Sequence, residues 1–404
     1  MKILLVNKFH YIKGGSETYY FALAEAFRYC GHEVIFFSVQ DERNVICEQA
    51  PYFVSNRSVS GSLKSKINLL LHLTYSKEAY SKMKKLLADE KPDLVILNLI
   101  HKHITLAVID AVKASNPDVP VFWTMHDLSA ICPAYTMRDG KGRICEKCIH
   151  GDYSHCLKNN CIKGNRLMSL LSMYEAKYIH KMDWYNQVDL YICPSEFYRK
   201  KFEESGFSCR PVITMRNPLP VETNYEISGK DYGYLLYFGR LSKEKGIKTL
   251  IDAVNRSGYR LFIVGTGPQG EELREYAKNN ANILFAGFQS GEALRNYVRN
   301  SRCVILPSEW YENGPYSAME AMAMGKPLIV SGYGGLPELV ENGVNGYIYR
   351  QGSEELAECI TRMMTLSEED YQTMSRNALE KAKTMFSPEA YVERIETYYR
   401  EIHK

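Results

Sequence analysis

The chain alternates between short apolar runs and longer stretches in which apolar residues recur every three or four positions. The runs predict buried strands, and the longer spacing predicts helices that cover the faces of a sheet. Strand, helix and strand in this order form βαβ units with parallel pairing and right-handed crossovers. The predicted strands are residues 2–7, 34–39, 94–99, 121–124, 190–195, 212–215, 234–238, 260–264, 283–286, 303–306, 328–330 and 347–349. The pattern therefore predicts an α/β protein with two doubly wound, Rossmann-like domains.

A polar stretch that contains Pro and Gly but has no periodicity separates the two halves at residues 217–233. Such a composition is typical of a linker between domains. We therefore expect an N-terminal domain of residues 1–216, a C-terminal domain of residues 217–385, and a final helix of residues 386–404.

A turn and a helix follow the predicted strand 303–306. Pro307 stops that strand, Asn313-Gly314-Pro315 forms a turn, and helical periodicity begins at Tyr316. Glu312 then lies just before the helix, and Glu320 lies inside it, about two turns further along. The start of a helix offers backbone N–H groups and a positive dipole end, which suit an anionic or polyhydroxyl ligand. The alternative is that both glutamates are solvated charges at a helix end.

Glycines and cations follow the first predicted strand of each half. Gly14 and Gly15 come after strand 2–7, where open α/β sheets bind ligands and where glycine allows a close backbone approach. Arg240 and Lys245 come after strand 234–238, where two cations would neutralise a leaving diphosphate. An ordinary βα turn and two surface charges are the alternatives.

A histidine, His126, follows strand 121–124 and is itself followed by Asp127. A lone histidine is more often a structural hydrogen-bonding residue than a catalytic one. Its position at a strand tip nevertheless favours a functional role, with Asp127 positioning the loop.

Composition and charge exclude some classes of function. The chain has 404 residues, with 50 Lys and Arg against 47 Asp and Glu, and this net charge of +3 does not indicate a nucleic-acid partner. No apolar stretch approaches the roughly 18–20 residues of a membrane span. The N-terminus reads as a first strand, not as a signal peptide, so we expect a cytoplasmic protein. Residues 64–85 mix basic and apolar positions, which fits a helix lying on anionic lipid or a solvated helix with its lysines outward.

The eleven cysteines include a clustered group in a turn-rich insertion at about residues 132–163. A C-x2-C pair followed by a C-x4-C pair predicts a structural zinc site, which would staple a segment too small to build its own core. The predicted ligands are Cys145, Cys148, Cys156 and Cys161. Free thiols, or a substitute ligand such as His150 or His155, are the alternatives.

Several motifs occur together and resemble those of retaining GT-B glycosyltransferases of glycosyltransferase family 4. They are the E-x7-E spacing of Glu312 and Glu320, the Gly-Pro turn between them, the Glu-Ala-Met-Ala-x-Gly-x-Pro end of the helix, and the following Gly-Gly-x-Pro-Glu loop. The Gly-Arg-x4-Lys-Gly segment is similar to the diphosphate clamp of the family, and Thr-x-His-Asp is similar to its donor-sugar motif.

The resemblance implies a GT-B fold, in which two doubly wound domains face each other across a cleft and the last helix crosses back to the N-terminal domain. It also implies a nucleotide-sugar donor in the C-terminal domain and an acceptor in the N-terminal domain. By the same resemblance, Gly14 and Gly15 contact the donor diphosphate and sugar, and His126 contacts the sugar near the reacting carbon.

The remaining implied roles fall in the C-terminal domain. Glu320 accepts hydrogen bonds from the ribose, and Glu312 stabilises positive charge that develops on the sugar ring. Arg240 and Lys245 hold the diphosphate. The residues that wall the nucleobase pocket are Gly265, Gly267 and Phe288, and those whose backbone holds donor-sugar hydroxyls are Asn313, Gly314, Pro315 and Tyr316.

The chain has no D-x-D pair, so we expect no metal cofactor in catalysis. The predicted reaction transfers a hexosyl group from a UDP- or GDP-linked sugar to a glycan or lipid-linked acceptor, with retention of configuration. Bacterial cell-surface polysaccharide synthesis, at the inner face of the plasma membrane, is the expected setting. A GT-B nucleotide-sugar epimerase and a catalytically silent nucleotide-sugar binding protein are the alternatives.

Overall fold

The computed structural model describes residues 1–56, 74–227 and 231–403. The chain divides into two compact units. The N-terminal unit comprises Met1–Val221 together with Pro388–Lys404, and the C-terminal unit comprises Glu222–Ser387. Residues 64–73 of the predicted amphipathic helix 64–85 lie outside the described residues.

The N-terminal unit is built on a six-stranded parallel sheet with the order β2-β1-β3-β4-β5-β6. Its strands are β1 Lys2–Val6, β2 Glu33–Phe37, β3 Leu94–Leu97, β4 Val121–Thr124, β5 Leu190–Cys193 and β6 Val212–Thr214. The strand order reverses between β1 and β3, and open sheets of this type bind ligands at the carboxyl ends of the strands beside such a reversal.

The C-terminal unit has a second six-stranded parallel sheet, with the order β12-β11-β10-β7-β8-β9. Its strands are β7 Leu235–Phe238, β8 Leu261–Val264, β9 Ile283–Gly287, β10 Cys303–Leu306, β11 Leu328–Ser331 and β12 Gly346–Tyr349. Here the order reverses between β7 and β10, so the loops that follow these two strands are neighbours. The two sheets confirm the predicted α/β class with two Rossmann-like domains.

Helices connect the strands within each unit. They are α1 Gly15–Tyr29, α2 Lys77–Glu90, α3 Ala107–Ser115, α4 Ser154–Lys158, α5 Arg166–Lys181, α6 Glu196–Ser205, α7 Ile247–Ser257, α8 Gly270–Ala277, α9 Gly291–Arg299, α10 Tyr316–Ala323, α11 Gly352–Met364, α12 Glu368–Met385 and α13 Pro388–Ile402. In the part of the chain that is described, no helix combines the length and the apolar character needed to cross a bilayer.

The last helix, α13, packs in the N-terminal unit. The hydroxyl of Tyr391 lies 2.8 Å from that of Tyr19 on α1, and Glu396 lies 2.8 Å from Nε2 of His32. Two separate helices, α11 and α12, follow β12, and Ser367 caps the start of α12 by accepting a hydrogen bond from the Asp370 amide.

Candidate active site

The loops after β7 and β10 meet through an ion pair between the half-buried Lys245 and the buried Glu312. Nζ of Lys245 lies 2.6 Å from Oε1 of Glu312, and the hydroxyl of Ser308 donates to the same oxygen at 2.6 Å. Burial opposes ionisation of Glu312, but the Lys245 charge and these hydrogen bonds outweigh it and hold the pKa of Glu312 below its usual range. The site therefore contains a carboxylate that stays ionised although it is buried.

Gly246 allows the two loops to approach so closely. Its φ is +65°, and a Cβ at this position would lie 1.9 Å from the carbonyl oxygen of Pro307. The Glu309 amide also donates to the Glu244 carbonyl at 2.8 Å, which ties the loops together by their backbones. Only glycine fits this contact, and the contact places Lys245 beside the residues that follow β10.

Arg240 lies at the end of β7 with its side chain exposed. The Tyr237 hydroxyl donates to the Arg240 carbonyl at 2.8 Å, which anchors the backbone at this point. Among the described residues, no carboxylate forms an ion pair with the Arg240 guanidinium. Arg240 thus presents a positive charge that is available to an anionic ligand.

The predicted nucleobase-pocket glycines have a packing role in the structure. A Cβ on Gly265 would lie 1.9 Å from the Gly239 carbonyl oxygen, and one on Gly267 would lie 2.3 Å from that of Leu241. These glycines therefore allow the loop after β8 to pack on the loop that carries Arg240. Phe288, just after β9, is largely exposed. Contact of these three residues with a base stays a prediction.

Glu320 lies half-buried on α10, whose first residue is the buried Tyr316. Burial raises the pKa of Glu320 to about 7, against the opposing charge of Arg295. The turn before the helix has the predicted form, since Gly314 has a φ of +89° and Pro315 is the extended N-cap residue. The structure thus supplies a carboxyl group whose protonation changes near neutral pH.

The Gly-Gly loop after β11 is tied to the same site, because the Gly335 amide donates to the Glu312 carbonyl at 2.7 Å. Asn313, between Glu312 and the helix, is half-buried in the turn.

In the N-terminal unit, His126 follows β4 and lies beside the end of β3. Its Nε2 is 3.2 Å from Oδ1 of Asn98, and its ring centroid is 4.5 Å from that of Tyr19. Burial lowers the pKa of His126 to about 3, so the imidazole is neutral at physiological pH. Asp127 accepts a hydrogen bond from the Ser129 amide at 2.9 Å and thereby holds the loop.

Gly14 and Gly15 form the junction between the β1 loop and α1. Gly14 is the N-cap residue, and its carbonyl accepts hydrogen bonds from the amides of Glu17 and Thr18 at 3.2 and 3.1 Å. The Glu17 side chain is buried, and burial raises its pKa. The pattern of the sequence does not single out this buried carboxyl.

Three lysines gather near these glycines, and the sequence pattern does not reveal them. Burial, together with the charges of Lys13 and Lys102, lowers the pKa of Lys8 to about 8. Nζ of Lys8 and Nζ of Lys13 lie 4.9 and 3.9 Å from the Phe9 ring centroid. Lys102 is about 90 positions away in the chain, but β1 and β3 are adjacent in the sheet. Only this pairing brings the three cations together.

The predicted zinc ligands lie in and around a small apolar cluster. Cys148 and Cys156 are buried there with Tyr153 and Met173, and Cys161 packs against them. The fourth predicted ligand, Cys145, accepts a weak hydrogen bond from Asn159 at 3.8 Å. Within residues 1–56, 74–227 and 231–403, no group of three or more His, Cys, Asp or Glu residues is arranged to hold a metal ion. Zinc binding stays a prediction.

Two solved structures share the fold over nearly the whole chain. HepE of Anabaena, solved in complex with UDP, is 18% identical, with a TM-score of 0.69 over 99% of this chain and 100% of that one. The sucrose-phosphate synthase of Thermosynechococcus elongatus is 20% identical, with a TM-score of 0.70 over 100% and 99%. At these identities the likeness shows the fold alone.

Sequence relatives match over shorter regions. The chain is 32% identical over 183 residues to the lipopolysaccharide 1,2-N-acetylglucosaminetransferase of Salmonella typhimurium, which is 39% of this chain and 47% of that enzyme. It is 27% identical over 244 residues to an uncharacterized glycosyltransferase of Methanocaldococcus jannaschii, 60% of this chain and 67% of that protein. A second uncharacterized glycosyltransferase of that organism matches at 32% over 33% of this chain and 36% of its own length. The chain thus spans about a third to two thirds of these relatives.

Two family models cover most of the chain. Residues 222–381 match the model described as Glycosyl transferases group 1, and residues 13–223 match the model described as Glycosyltransferase Family 4. The second match alone covers more than half of the 404 residues. The chain belongs to glycosyltransferase family 4.

Proposed function

We propose that this chain transfers a hexosyl group from a UDP- or GDP-linked sugar to a glycan or lipid-linked acceptor, with retention of configuration. The main support is the pairing of Lys245 with the buried Glu312 in the C-terminal unit, on a loop that also presents the unpaired Arg240. Family membership and the UDP complex of the Anabaena neighbour are consistent with a nucleotide-sugar donor.

Cleavage of a glycosyl–phosphate bond leaves negative charge on the departing diphosphate. In this proposal, Arg240 binds the diphosphate directly. The ammonium group of Lys245, which pairs with Glu312, also interacts with the phosphate oxygens as the bond breaks. A fixed cation costs no reorganisation when the charge develops, and this is why such groups accelerate the reaction. The proposed clamp consists of side chains of the protein.

Glu312 has a complementary role in the proposal. A carboxylate that stays ionised while buried can stabilise positive charge on the sugar ring far better than one in water, because the local dielectric constant is low. Glu320 accepts hydrogen bonds from the ribose. His126 is neutral at physiological pH, so we assign it hydrogen bonding to a sugar hydroxyl and no role as a cationic acid.

The proposed setting is cell-surface polysaccharide synthesis at the inner face of the bacterial plasma membrane. Its support is the similarity to the Salmonella relative, a lipopolysaccharide 1,2-N-acetylglucosaminetransferase. The cluster of Lys8, Lys13 and Lys102 near Gly14 favours an acceptor that carries a negative charge.

Turnover of nucleotide sugars tests the proposal. The purified chain is incubated with a panel of UDP- and GDP-sugars, and release of nucleoside diphosphate is measured with and without candidate glycan acceptors. We expect release from one donor class and a product whose anomeric configuration, read by NMR, is that of the donor. Binding of a donor without any release would favour the silent binding protein, and an isomerised sugar from donor alone would favour the epimerase.

The variant Arg240→Ala tests whether Arg240 binds the donor diphosphate, and Arg260→Ala is its control. Arg260 is also exposed, but it lies at the amino end of β8, whereas Arg240 follows the carboxyl end of β7. Turnover should fall severely in the first variant and stay normal in the second. Equal turnover in both variants would contradict the assignment of the clamp.

A further inference from the structure

Helix α5 and the residue that follows it expose an unusual row of large apolar side chains. Of the seventeen large hydrophobic residues that are exposed in the described part of the chain, five lie within these sixteen positions, from 167 to 182. Their exposed fractions are 59% for Leu167, 48% for Met168, 56% for Tyr174, 41% for Tyr178 and 40% for Met182. Clusters of this kind on a soluble surface mark sites of interaction.

The row follows the helical repeat. Leu167, Tyr174, Tyr178 and Met182 are separated by seven, four and four positions, so they lie along one side of the helix. The other side is already occupied, because Ser169, Ser172, Met173 and Ile179 are buried in the N-terminal unit. The exposed side is therefore a second apolar face, which the described residues of this unit leave uncovered.

Cations flank this face. Lys163, Arg166, Lys177 and Lys181 are all exposed, and among the described residues none of them forms an ion pair with a carboxylate. The one acidic residue within α5, Glu175, is half-buried, where burial raises its pKa to about 6. The next acidic residue along the chain, Asp183, is exposed, lies beyond the helix and accepts a hydrogen bond from Asn186. The face thus combines apolar and positive groups.

This combination fits the surface of an anionic lipid bilayer. Apolar side chains of an interfacial helix enter the boundary between head groups and acyl chains, and tyrosine rings are enriched at that depth. Lysine and arginine extend their charged ends back to anionic head groups. A second copy of the chain is a poorer partner, because a two-fold contact through α5 would bring the same four cations against each other.

We propose that the exposed face of α5, from Lys163 to Met182, docks the protein on an anionic lipid bilayer. The face is built from other residues of the chain than the amphipathic segment 64–85 that the sequence suggests. The inference does not depend on the donor chemistry, and it stands or falls separately from the proposed transferase activity.

Vesicle co-sedimentation of the full-length chain tests the docking. The vesicles contain phosphatidylcholine alone or phosphatidylcholine with about a third of phosphatidylglycerol. We expect at least about tenfold stronger binding to the anionic vesicles, and weaker binding as salt is raised from 0.05 to about 0.5 M, because screening removes the electrostatic part. Equal binding to both lipids, or none to either, would overturn the proposal.

Two variants divide the apolar from the electrostatic contribution. Leu167→Ser/Tyr174→Ser removes two apolar contacts, and Lys177→Glu/Lys181→Glu reverses two charges. Each should reduce binding to anionic vesicles at least about tenfold. Thermal unfolding should stay close to that of the wild type, since these side chains are exposed.

The control is Lys77→Glu/Lys84→Glu on α2, an exposed pair in the same unit that lies within the segment 64–85, so it also tests the alternative lipid contact suggested by the sequence. It keeps the same change in net charge and should bind as the wild type does. If the control loses as much binding as the α5 charge reversal, the docking is not local to α5 and the proposal fails.

A direct reporter is the variant Tyr174→Trp, which keeps an aromatic ring on the face. Its added fluorescence should shift to shorter wavelength with anionic vesicles, because the ring leaves water. An unchanged spectrum of vesicle-bound protein would show that another surface makes the contact.

Discussion

The substitution Gly246→Ala tests how the site is assembled. Gly246 is the residue before α7, with a φ of +65°, and its added Cβ would lie 1.9 Å from the Pro307 carbonyl oxygen and 3.1 Å from Cγ of Glu309. Contacts of real Cβ atoms begin at about 3.0 Å, so the two loops must separate by about 1.1 Å. Lys245 is the preceding residue and would move with its loop.

The substitution Gly246→Ala should have two separate effects, one on stability and one on the reaction rate. A non-glycine residue in the left-handed region costs about 1 kcal/mol in stability. A displacement of about 1 Å in a catalytic arrangement can reduce the rate by about 10²-fold. We therefore expect Gly246→Ala to lose a modest part of its stability and about a hundredfold in turnover of the nucleotide sugar.

Gly258→Ala is the matched control. Gly258 caps the other end of α7, also has a positive φ, of +75°, and has no atom within 4 Å of an added Cβ. It should show the conformational cost in thermal unfolding but keep its turnover. Similar turnover in the two variants would refute the argument that the close approach of the loops positions Lys245.

Three further predictions concern Lys245, Glu320 and the cysteine insertion. Replacing Lys245 by Met should destabilise the protein by about 3 kcal/mol in urea unfolding, because Glu312 becomes a buried charge without its partner. Adding Glu312→Gln to this variant should restore part of the lost stability. If the effects of the two substitutions simply add, the ion pair is contradicted. The raised pKa of Glu320 means that the folded state holds a proton that the unfolded state releases, so stability should fall as pH rises from about 4.5 to 7, by at most about 3 kcal/mol. Glu320→Gln should remove that slope in unfolding curves measured at each pH, and an unchanged slope would show that another group titrates. If the cysteine insertion holds zinc, elemental analysis will find one zinc per chain and a chelator will lower the melting temperature; a metal-free protein with the same melting temperature would reject the prediction.

Much of the architecture follows from local sequence patterns. The run Cys303–Leu306, the stop at Pro307 and the periodicity from Tyr316 define β10, the turn and α10 without knowledge of any distant contact. This works because strands buried on both faces are continuously apolar, and because Pro and Gly restrict the backbone locally.

The pairing of groups across the sheets could not be predicted in this way. Lys245 and Glu312 are 67 positions apart, and their contact exists because β7 and β10 are neighbours at the reversal of strand order. The sequence pattern assigns both residues to a donor site, but it does not show that they neutralise each other. The lysines near Gly14 escape the pattern for the same reason.

The exposed face of α5 shows a different limit. Its apolar residues recur at helical spacing, and the structure forms the helix over Arg166–Lys181. Periodicity cannot tell which apolar residues become buried, because α5 has two apolar faces and the fold covers only one. Such a face becomes visible only when the exposure of each side chain is known.

The central claim is that side-chain cations of the C-terminal unit bind the diphosphate of the donor. The most direct measurement is the affinity for UDP and GDP by titration calorimetry, with EDTA present, for the wild type, Arg240→Ala and Arg260→Ala. We predict that Arg240→Ala binds the preferred nucleotide more weakly by about 2–4 kcal/mol, the range for loss of one preorganised donor, while Arg260→Ala binds it normally. Equal affinity of all three proteins, or binding that disappears from the wild type when EDTA is added, would contradict the claim.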